Sequence, residues 1–167
     1  DTIIKNIECF NIKVKHKNGA CVRLEGRNLT LENVYFHDSQ QGLLTNSKPG
    51  SIYILNSRFE RLGKSGKAHG IYVGGGRLFI KGSSFLSSKD QGHEIKSRAS
   101  ETRIENSVIA SLNGNDSRLV DIPNGGKLSI TDSVLGQGPN SVNWNLIGFG
   151  LEGYKYKENS VTLIGNI

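Results

Sequence analysis

Short runs of alternating apolar and polar residues recur along the whole chain. Each run has apolar residues mostly at the second and fourth positions, and a small polar residue or glycine, here called the anchor, follows. The runs are TIIKN (2–6), LTLEN (29–33), SIYILN (51–56), RLFIKG (77–82), TRIEN (102–106), LSITD (128–132) and VTLIG (161–165). Alternation with a period of two over four to six residues is typical of β-strands.

The runs recur at a nearly constant interval. The anchors are Asn6, Asn33, Asn56, Gly82, Asn106, Asp132 and Gly165, and their spacings are 27, 23, 26, 24, 26 and 33 residues. Three residues after most anchors stands a large apolar residue: Phe36, Phe59, Phe85, Ile109 and Leu135. A second short apolar run comes before each later run, as ACVRLEG, GLLTN, GIYVGG, HEIKS, RLVDIP and LIGFG. Short strands that repeat at this interval predict a parallel β-solenoid.

The solenoid prediction fixes which residues stack. Equivalent residues of successive turns lie about 4.8 Å apart and form columns along the axis. One apolar column is expected to contain Ile4, Leu31, Ile54, Ile80, Ile104, Ile130 and Leu163. Asparagine suits the anchor because it tolerates left-handed backbone. No segment of 10–12 residues has a helical period, and the pattern L-x-x-L-x-L-x-x-N of leucine-rich repeats is absent. We therefore predict an all-β, right-handed, single-stranded parallel β-helix of about seven rungs, with a repeat of 23–27 residues.

Length and composition agree with one domain. The chain has 167 residues, of which 21 are glycine, 35% are hydrophobic and 22% are charged. The whole range 1–167 is expected to be a single β-helix domain. Both ends start or stop within a rung and no cap is evident, so we expect a fragment of a longer chain, with end-to-end association or missing flanking segments.

The charge narrows the class of partner. A net charge of +6 favours polyanions, which include acidic polysaccharide and nucleic acid. Lysine and arginine are scattered singly and form no nucleic-acid-binding motif, so nucleic acid is the less favoured partner. No run of apolar residues is long enough for a membrane span, so no membrane partner is predicted.

The two cysteines, Cys9 and Cys21, are twelve residues apart. Neither belongs to a paired-cysteine motif, which argues against zinc. We expect two small buried side chains in preference to a disulfide.

Four segments carry a resemblance to known proteins. AHGIYVGGG (68–76), GHEIKSRA (92–99), DIPNGG (121–126) and FGLEGY (149–154) resemble bacterial right-handed β-helix repeat proteins, and the resemblance covers nearly the whole chain. Many members of that family act on polysaccharides. The resemblance implies a secreted, periplasmic or cell-surface protein.

Function in a solenoid is expected on outward side chains, because inward ones pack the core. With Val73, Ile95 and Ile122 taken as inward, we expect three outward residues on successive rungs: Tyr72, Glu94 and Asp121. Lys96 and Pro123 follow one step along each strand, and His69 and Arg98 border the same surface. His93 has the parity of Ile95 and is expected to point inward or lie at an edge.

The segment EIKS followed by ETRIENSVI resembles the lysine-bearing rung of β-helical polysaccharide lyases of the alginate lyase and chondroitinase B type. The resemblance implies Glu94 as a calcium ligand and Lys96 as the catalytic base. That family has an arginine-histidine pair on the following rung, where this chain has VDIPNGG. Arg98 is the one available substitute.

The chemistry of β-elimination selects further candidates. The reaction needs a cation for the uronate carboxylate, a base for the C5 proton and an acid for the leaving oxygen. The candidate catalytic residues are Lys96, Arg98, His69, Tyr72 and His93. The candidate substrate-binding residues are Asp121, Asn124, Glu152 and Tyr154, with Trp144 and Tyr156 as further sugar-stacking side chains in the long insertion before Gly165. Trp144 is alternatively expected to cover the core.

Three functional readings stay open at this point. An acidic-polysaccharide lyase is favoured. A glycoside hydrolase would use Glu94 and Asp121 as its paired carboxylates. The third reading is a non-catalytic polysaccharide-binding or structural solenoid, in which these charges form a solvated salt-bridge ladder.

Overall fold

The computed structural model describes all residues from 1 to 167, and they form nineteen strands and no helix. The first sheet contains β1 (Thr2–Lys5), β4 (Leu29–Glu32), β7 (Ser51–Leu55), β10 (Arg77–Lys81), β13 (Glu101–Glu105), β16 (Lys127–Thr131) and β19 (Ser160–Ile164). The second contains β2 (Glu8–Phe10), β5 (Tyr35–His37), β8 (Arg58–Glu60), β11 (Ser84–Leu86), β14 (Val108–Ala110) and β17 (Val134–Gly136). The third contains β3 (Ala20–Leu24), β6 (Gln41–Thr45), β9 (Ile71–Val73), β12 (Ile95–Ser97), β15 (Val120–Ile122) and β18 (Ile147–Phe149).

Successive strands enter the three sheets in rotation, and neighbours within each sheet are parallel. The chain therefore makes six complete turns of a β-solenoid, and β19 starts a seventh. The predicted all-β solenoid is confirmed. Each turn has three strands, whereas the sequence had indicated two strands and a single apolar residue after the anchor.

The predicted apolar column of the first sheet is confirmed. Ile4, Leu31, Ile54, Ile80, Ile104, Ile130 and Leu163 are in register on neighbouring strands. The five inner members are at most 1% exposed. The residues three positions after the anchors form a second column in the second sheet, where the Phe59 and Phe85 rings stack with centroids 4.8 Å apart.

The anchors form the corner between the first and second sheets. All seven have a positive φ, between 46° and 66°, as expected for asparagine and glycine at a left-handed position. Buried serines follow four of these anchors: Ser57, Ser83, Ser107 and Ser133. The backbone N–H of each of the first three donates to the hydroxyl of the next at 3.1 Å, so the serines connect the turns at this corner.

The prediction for the cysteines was wrong. Cys9 on β2 and Cys21 on β3 form a disulfide, with their Cα atoms 5.9 Å apart. The two strands belong to the same turn, and the loop between them brings both side chains to the inside of the first turn. A spacing of twelve residues carries no such information by itself.

Apolar side chains are exposed on the first and last turns, with Ile3 66% and Ile164 61% exposed. End-to-end association stays a prediction. The structure has no helix that is long and apolar enough to cross a membrane.

Candidate functional site

A column of polar side chains crosses the third sheet. Tyr72 on β9, Lys96 on β12 and Asp121 on β15 are in register on adjacent strands. The sequence had placed Glu94 at the central position of this column. That prediction was wrong by two residues, because Ile95 is paired with Ile71 and Val120 and not with Val73 and Ile122.

Glu94 lies just before β12 and its side chain is inside the solenoid, 1% exposed. Its two carboxyl oxygens accept hydrogen bonds from the Ser88 backbone N–H and hydroxyl, at 2.5 and 2.8 Å. Burial raises the pKa of Glu94 to about 8. The predicted outward position of Glu94 is therefore wrong, and so is its pairing with Asp121 on one surface.

The surroundings of Glu94 do not fit a calcium ion. Calcium takes six to eight oxygen ligands, several of them carboxylate oxygens. No group of three or more histidine, cysteine, aspartate or glutamate side chains is positioned to hold a metal ion. Calcium binding by the protein stays a prediction, without a supporting ligand set around Glu94.

Asp121 is at the centre of an ionic cluster. Its Oδ2 lies 3.2 Å from Lys96 Nζ and 3.4 Å from His93 Nε2, and its Oδ1 lies 3.9 Å from Arg118. Asp121 is only 3% exposed. Asp121 alternates with the core residues Val120 and Ile122 and is in register with Lys96, so its predicted outward side is right. The carboxylate is nevertheless covered, and it orients the cations of the site. Substrate binding by Asp121 stays a prediction.

Arg98 connects three parts of the site. Its Nε–H donates to the Tyr72 phenol oxygen at 2.7 Å, and Nη1 donates to Asn124 Oδ1 at 2.8 Å. Nη1 also lies 2.8 Å from one carboxylate oxygen of Glu152, and Nη2 donates to the other at 3.0 Å. The hydrogen bonds with Glu152 raise the pKa of Arg98 and lower the pKa of Glu152. The Glu152 side chain is 50% exposed, so an anionic ligand has a route to this guanidinium.

His69 and His93 are buried behind the cluster, 2% and 7% exposed, with stacked rings 4.9 Å apart. His69 Nδ1 accepts from the His93 backbone N–H, and His93 Nδ1 accepts from the Arg118 backbone N–H, both at 3.1 Å. Burial lowers the pKa of His69 well below its usual value and that of His93 to about 4.

These hydrogen bonds fix the tautomer of both histidines and indicate a structural role for them. Both rings are neutral near pH 7, and because Nδ1 accepts, the proton is on Nε2. The one basic nitrogen of each ring is therefore occupied by a backbone N–H of the next turn. The prediction that His93 points inward or lies at an edge agrees with its burial. The geometry positions both histidines to hold adjacent turns together.

The insertion before Gly165 runs beside the cluster. The Glu152 and Lys155 backbone N–H groups donate to the carbonyls of Pro123 and Asn124, at 2.8 and 3.0 Å. The Tyr156 hydroxyl donates to the Arg98 carbonyl at 2.6 Å. The insertion is thus fixed next to the polar column and supplies Glu152 to it.

The aromatic candidates of the insertion are separate from one another. Tyr154 is 64% exposed and its ring centroid lies 6.0 Å from that of Phe149. Trp144 is 96% exposed, so the alternative that it covers the core is wrong. Both are accessible to a ligand.

Sequence reasoning missed Arg118. It precedes Asp121 by three residues, a spacing that in a strand puts side chains on opposite faces, so the sequence carried no signal of this contact. Its Nη2 donates to Asn143 at 3.2 Å, while its Nε is buried without a partner, as is Asn124 Nδ2. Buried donors are nearly always hydrogen-bonded, to water or ligand if not to protein. Two unpaired donors are therefore available in the cluster.

The protein is thus a parallel β-solenoid with a cluster of charged side chains on its third sheet. The sequence pattern of the family described as "Right handed beta helix region" matches residues 2–163. The chain therefore belongs to the right-handed β-helix family. No curated protein and no solved structure matches it.

Proposed function

We propose that this protein acts on an acidic, uronate-containing polysaccharide by β-elimination. One observation carries the proposal: the Arg98 guanidinium contacts the Tyr72 phenol oxygen at 2.7 Å, and Lys96 lies over the same ring with Nζ 5.9 Å from its centroid. A carboxylate-binding group and two groups able to transfer protons thus lie within one cluster.

Each residue has a role in the elimination. Arg98 binds the uronate carboxylate by exchange with the half-exposed Glu152 and stabilises the charge that develops there. Tyr72 acts as the base in its phenolate form, which the adjacent guanidinium stabilises, and it becomes a phenol by taking the C5 proton. The C4–O bond then breaks, and Lys96 gives a proton to the leaving oxygen. Lys96 was first predicted as the base, but its ammonium is paired with Asp121, which suits it to the role of acid.

The hydrolase alternative loses its main support. A hydrolase of this fold needs two carboxyl groups facing the glycosidic bond. Glu94 is bonded to Ser88 inside the solenoid, and Asp121 is enclosed by cations.

A binding-only function is the second candidate, and a specific observation favours it. Lys96 and Arg98 are already paired with Asp121 and Glu152, as in a structural ladder of charges. Such a surface can hold an acidic chain without reacting with it. The Cys9–Cys21 disulfide supports either function in a secreted, periplasmic or cell-surface location, because disulfides persist in oxidising compartments.

The test is an assay across several uronate polymers that follows the ultraviolet absorbance of unsaturated product together with new reducing ends. A lyase raises both signals, whereas a hydrolase raises only the reducing ends. Retained polymer binding with neither signal would overturn the lyase proposal in favour of binding alone.

A matched pair of tyrosine variants tests the role of the site. Tyr72→Phe keeps the ring and removes the hydroxyl, and is expected to lower kcat by about a hundredfold or more. Tyr35→Phe makes the same change on the second sheet, outside both proposed sites, and is expected to leave kcat unchanged. Equal activity of the two variants would exclude Tyr72 as a proton-transfer group.

A further inference from the structure

A second polar surface lies on the outer face of the first sheet and shares no residue with the cluster around Lys96. It is an open groove with a volume of about 690 Å³, lined by Arg27, Thr30, Ser51, Tyr53 and Arg77 among others. This size is within the range of small-ligand sites.

One side of the groove is an aromatic ring. Tyr53 on β7 is 41% exposed, and the Phe79 ring stacks on it with centroids 5.1 Å apart at an angle of 18°. The residue in register on the other side of Tyr53 is Thr30, which is too short to cover a ring. One face of the tyrosine is therefore backed by Phe79, while the other is directed into the groove.

The groove also carries unneutralised positive charge. Arg27 and Arg77 are both exposed, and neither has a carboxylate within 4.0 Å, unlike Lys96, Arg98 and many other cations of this chain. Arg77 donates to the Ser51 hydroxyl at 3.2 Å, which fixes its direction. The one acidic residue of the groove, Asp1, accepts a hydrogen bond from Asn28.

We propose that this groove is a second binding site, for one anionic sugar residue of an acidic polysaccharide. The pyranose ring packs on the free face of Tyr53, and Arg27 and Arg77 bind the carboxylate or sulfate group. A planar aromatic face and bidentate guanidinium groups are the side chains best suited to these two parts of such a ligand. The choice of ligand rests on the proposed function, whereas the site itself stands on this groove alone.

Two sites on different sheets let one long chain contact the protein twice. Each contact raises the effective concentration of polymer at the other, provided that the chain can span both. The groove then acts as a holding site, and it carries out no chemistry of its own.

The test is calorimetric titration with a short oligouronate and a sulfated oligosaccharide, using Tyr72→Phe as the background so that cleavage of the ligand is slowed by about a hundredfold or more during the titration. The background protein is expected to bind two oligosaccharides per chain. Adding Arg27→Gln and Arg77→Gln, or Tyr53→Ala, is expected to reduce the stoichiometry to one. The control adds Arg58→Gln and Lys81→Gln, which remove the same two charges from cations paired with Glu60 and Glu105.

The outcomes separate this inference from the proposed function. An unchanged stoichiometry in the groove variants would overturn the groove and leave the lyase proposal intact. If the background protein binds one oligosaccharide per chain and the groove variants bind none, the result would support the groove and contradict binding at the Lys96 cluster. If the Arg58 and Lys81 control loses as much bound oligosaccharide as the groove variants, the loss reflects net charge alone and the groove proposal is overturned. Absence of any binding to the background protein would also overturn it.

Discussion

Lys96 Nζ lies 3.2 Å from Asp121 Oδ2, and the two residues occupy equivalent positions on the adjacent strands β12 and β15. The Asp121 side chain is 4% exposed and that of Lys96 14% exposed, so this ion pair is largely removed from water. A buried pair of this kind does not by itself stabilise a fold, but removing one partner leaves the other uncompensated.

Asp121→Ala is therefore expected to lower the free energy of unfolding by about 3 kcal/mol, measured by urea denaturation. Glu158→Gln is the control, because Glu158 forms an exposed pair with Lys127 and its loss should have no measurable effect. Equal stability of Asp121→Ala and the parent would mean that Lys96 and Arg118 find other partners or reach water.

The apolar column gives a second prediction. Ile104 is 0% exposed, so Ile104→Ala should lower the free energy of unfolding by about 3 kcal/mol through lost burial and the cavity left behind. Ile164→Ala makes the same change where the side chain is 61% exposed and is expected to cost far less. If thermal or urea unfolding ranks the two variants the other way round, the column does not carry the stability assigned to it.

Alternation of apolar residues was enough to predict the first sheet, because its strands have four or five residues and end at a recognisable anchor. Ile54, Ile80 and Ile104 are in register as the anchors required. The strands of the second sheet have three residues each, too few to show a period, and only one large residue such as Phe59 marked each of them.

Apolar alternation could not predict the strand register of the third sheet. Its central strands also have three residues, and loops of varying length separate them from the anchors, so Glu94 and Lys96 were equally good candidates by parity. Glu152 reaches Arg98 from 54 residues further along the chain, a contact that depends on how the insertion folds back. The local sequence does not show that the insertion folds back onto Arg98.

The disulfide supplies a third prediction. A bond between Cys9 and Cys21 closes a short loop, and the restriction it places on the unfolded chain is worth about 3 kcal/mol. Replacing both cysteines by serine should lower the free energy of unfolding by about that amount, and adding reductant to the parent should reproduce the loss. Two free thiols in the unfolded, unreduced parent would show that the bond does not form.

Glu94 gives a prediction for pH. Its native pKa of about 8 lies above the ordinary value of 4.5, because burial disfavours the carboxylate. Between these two values the native state keeps a proton that the unfolded chain has lost. The free energy of unfolding should then fall as pH rises, by up to about 1.4 kcal/mol per pH unit from this group. Below the unfolded pKa the group has no such effect.

Glu94→Gln removes this titration and preserves the contacts with Ser88, since the amide oxygen accepts from the backbone N–H and the amide nitrogen meets the hydroxyl. The stability of Glu94→Gln relative to the parent should increase steadily from about pH 5 to about pH 8 in urea denaturation. Glu158→Gln is the control: the pKa of Glu158 lies below its usual value through its bond with Lys127, so its difference from the parent should stay constant over the same range. If the free energy of unfolding of Glu94→Gln also differs from that of the parent by a constant amount over this range, Glu94 is ionised in the native state. Its carboxylate would then be in contact with water or with a cation.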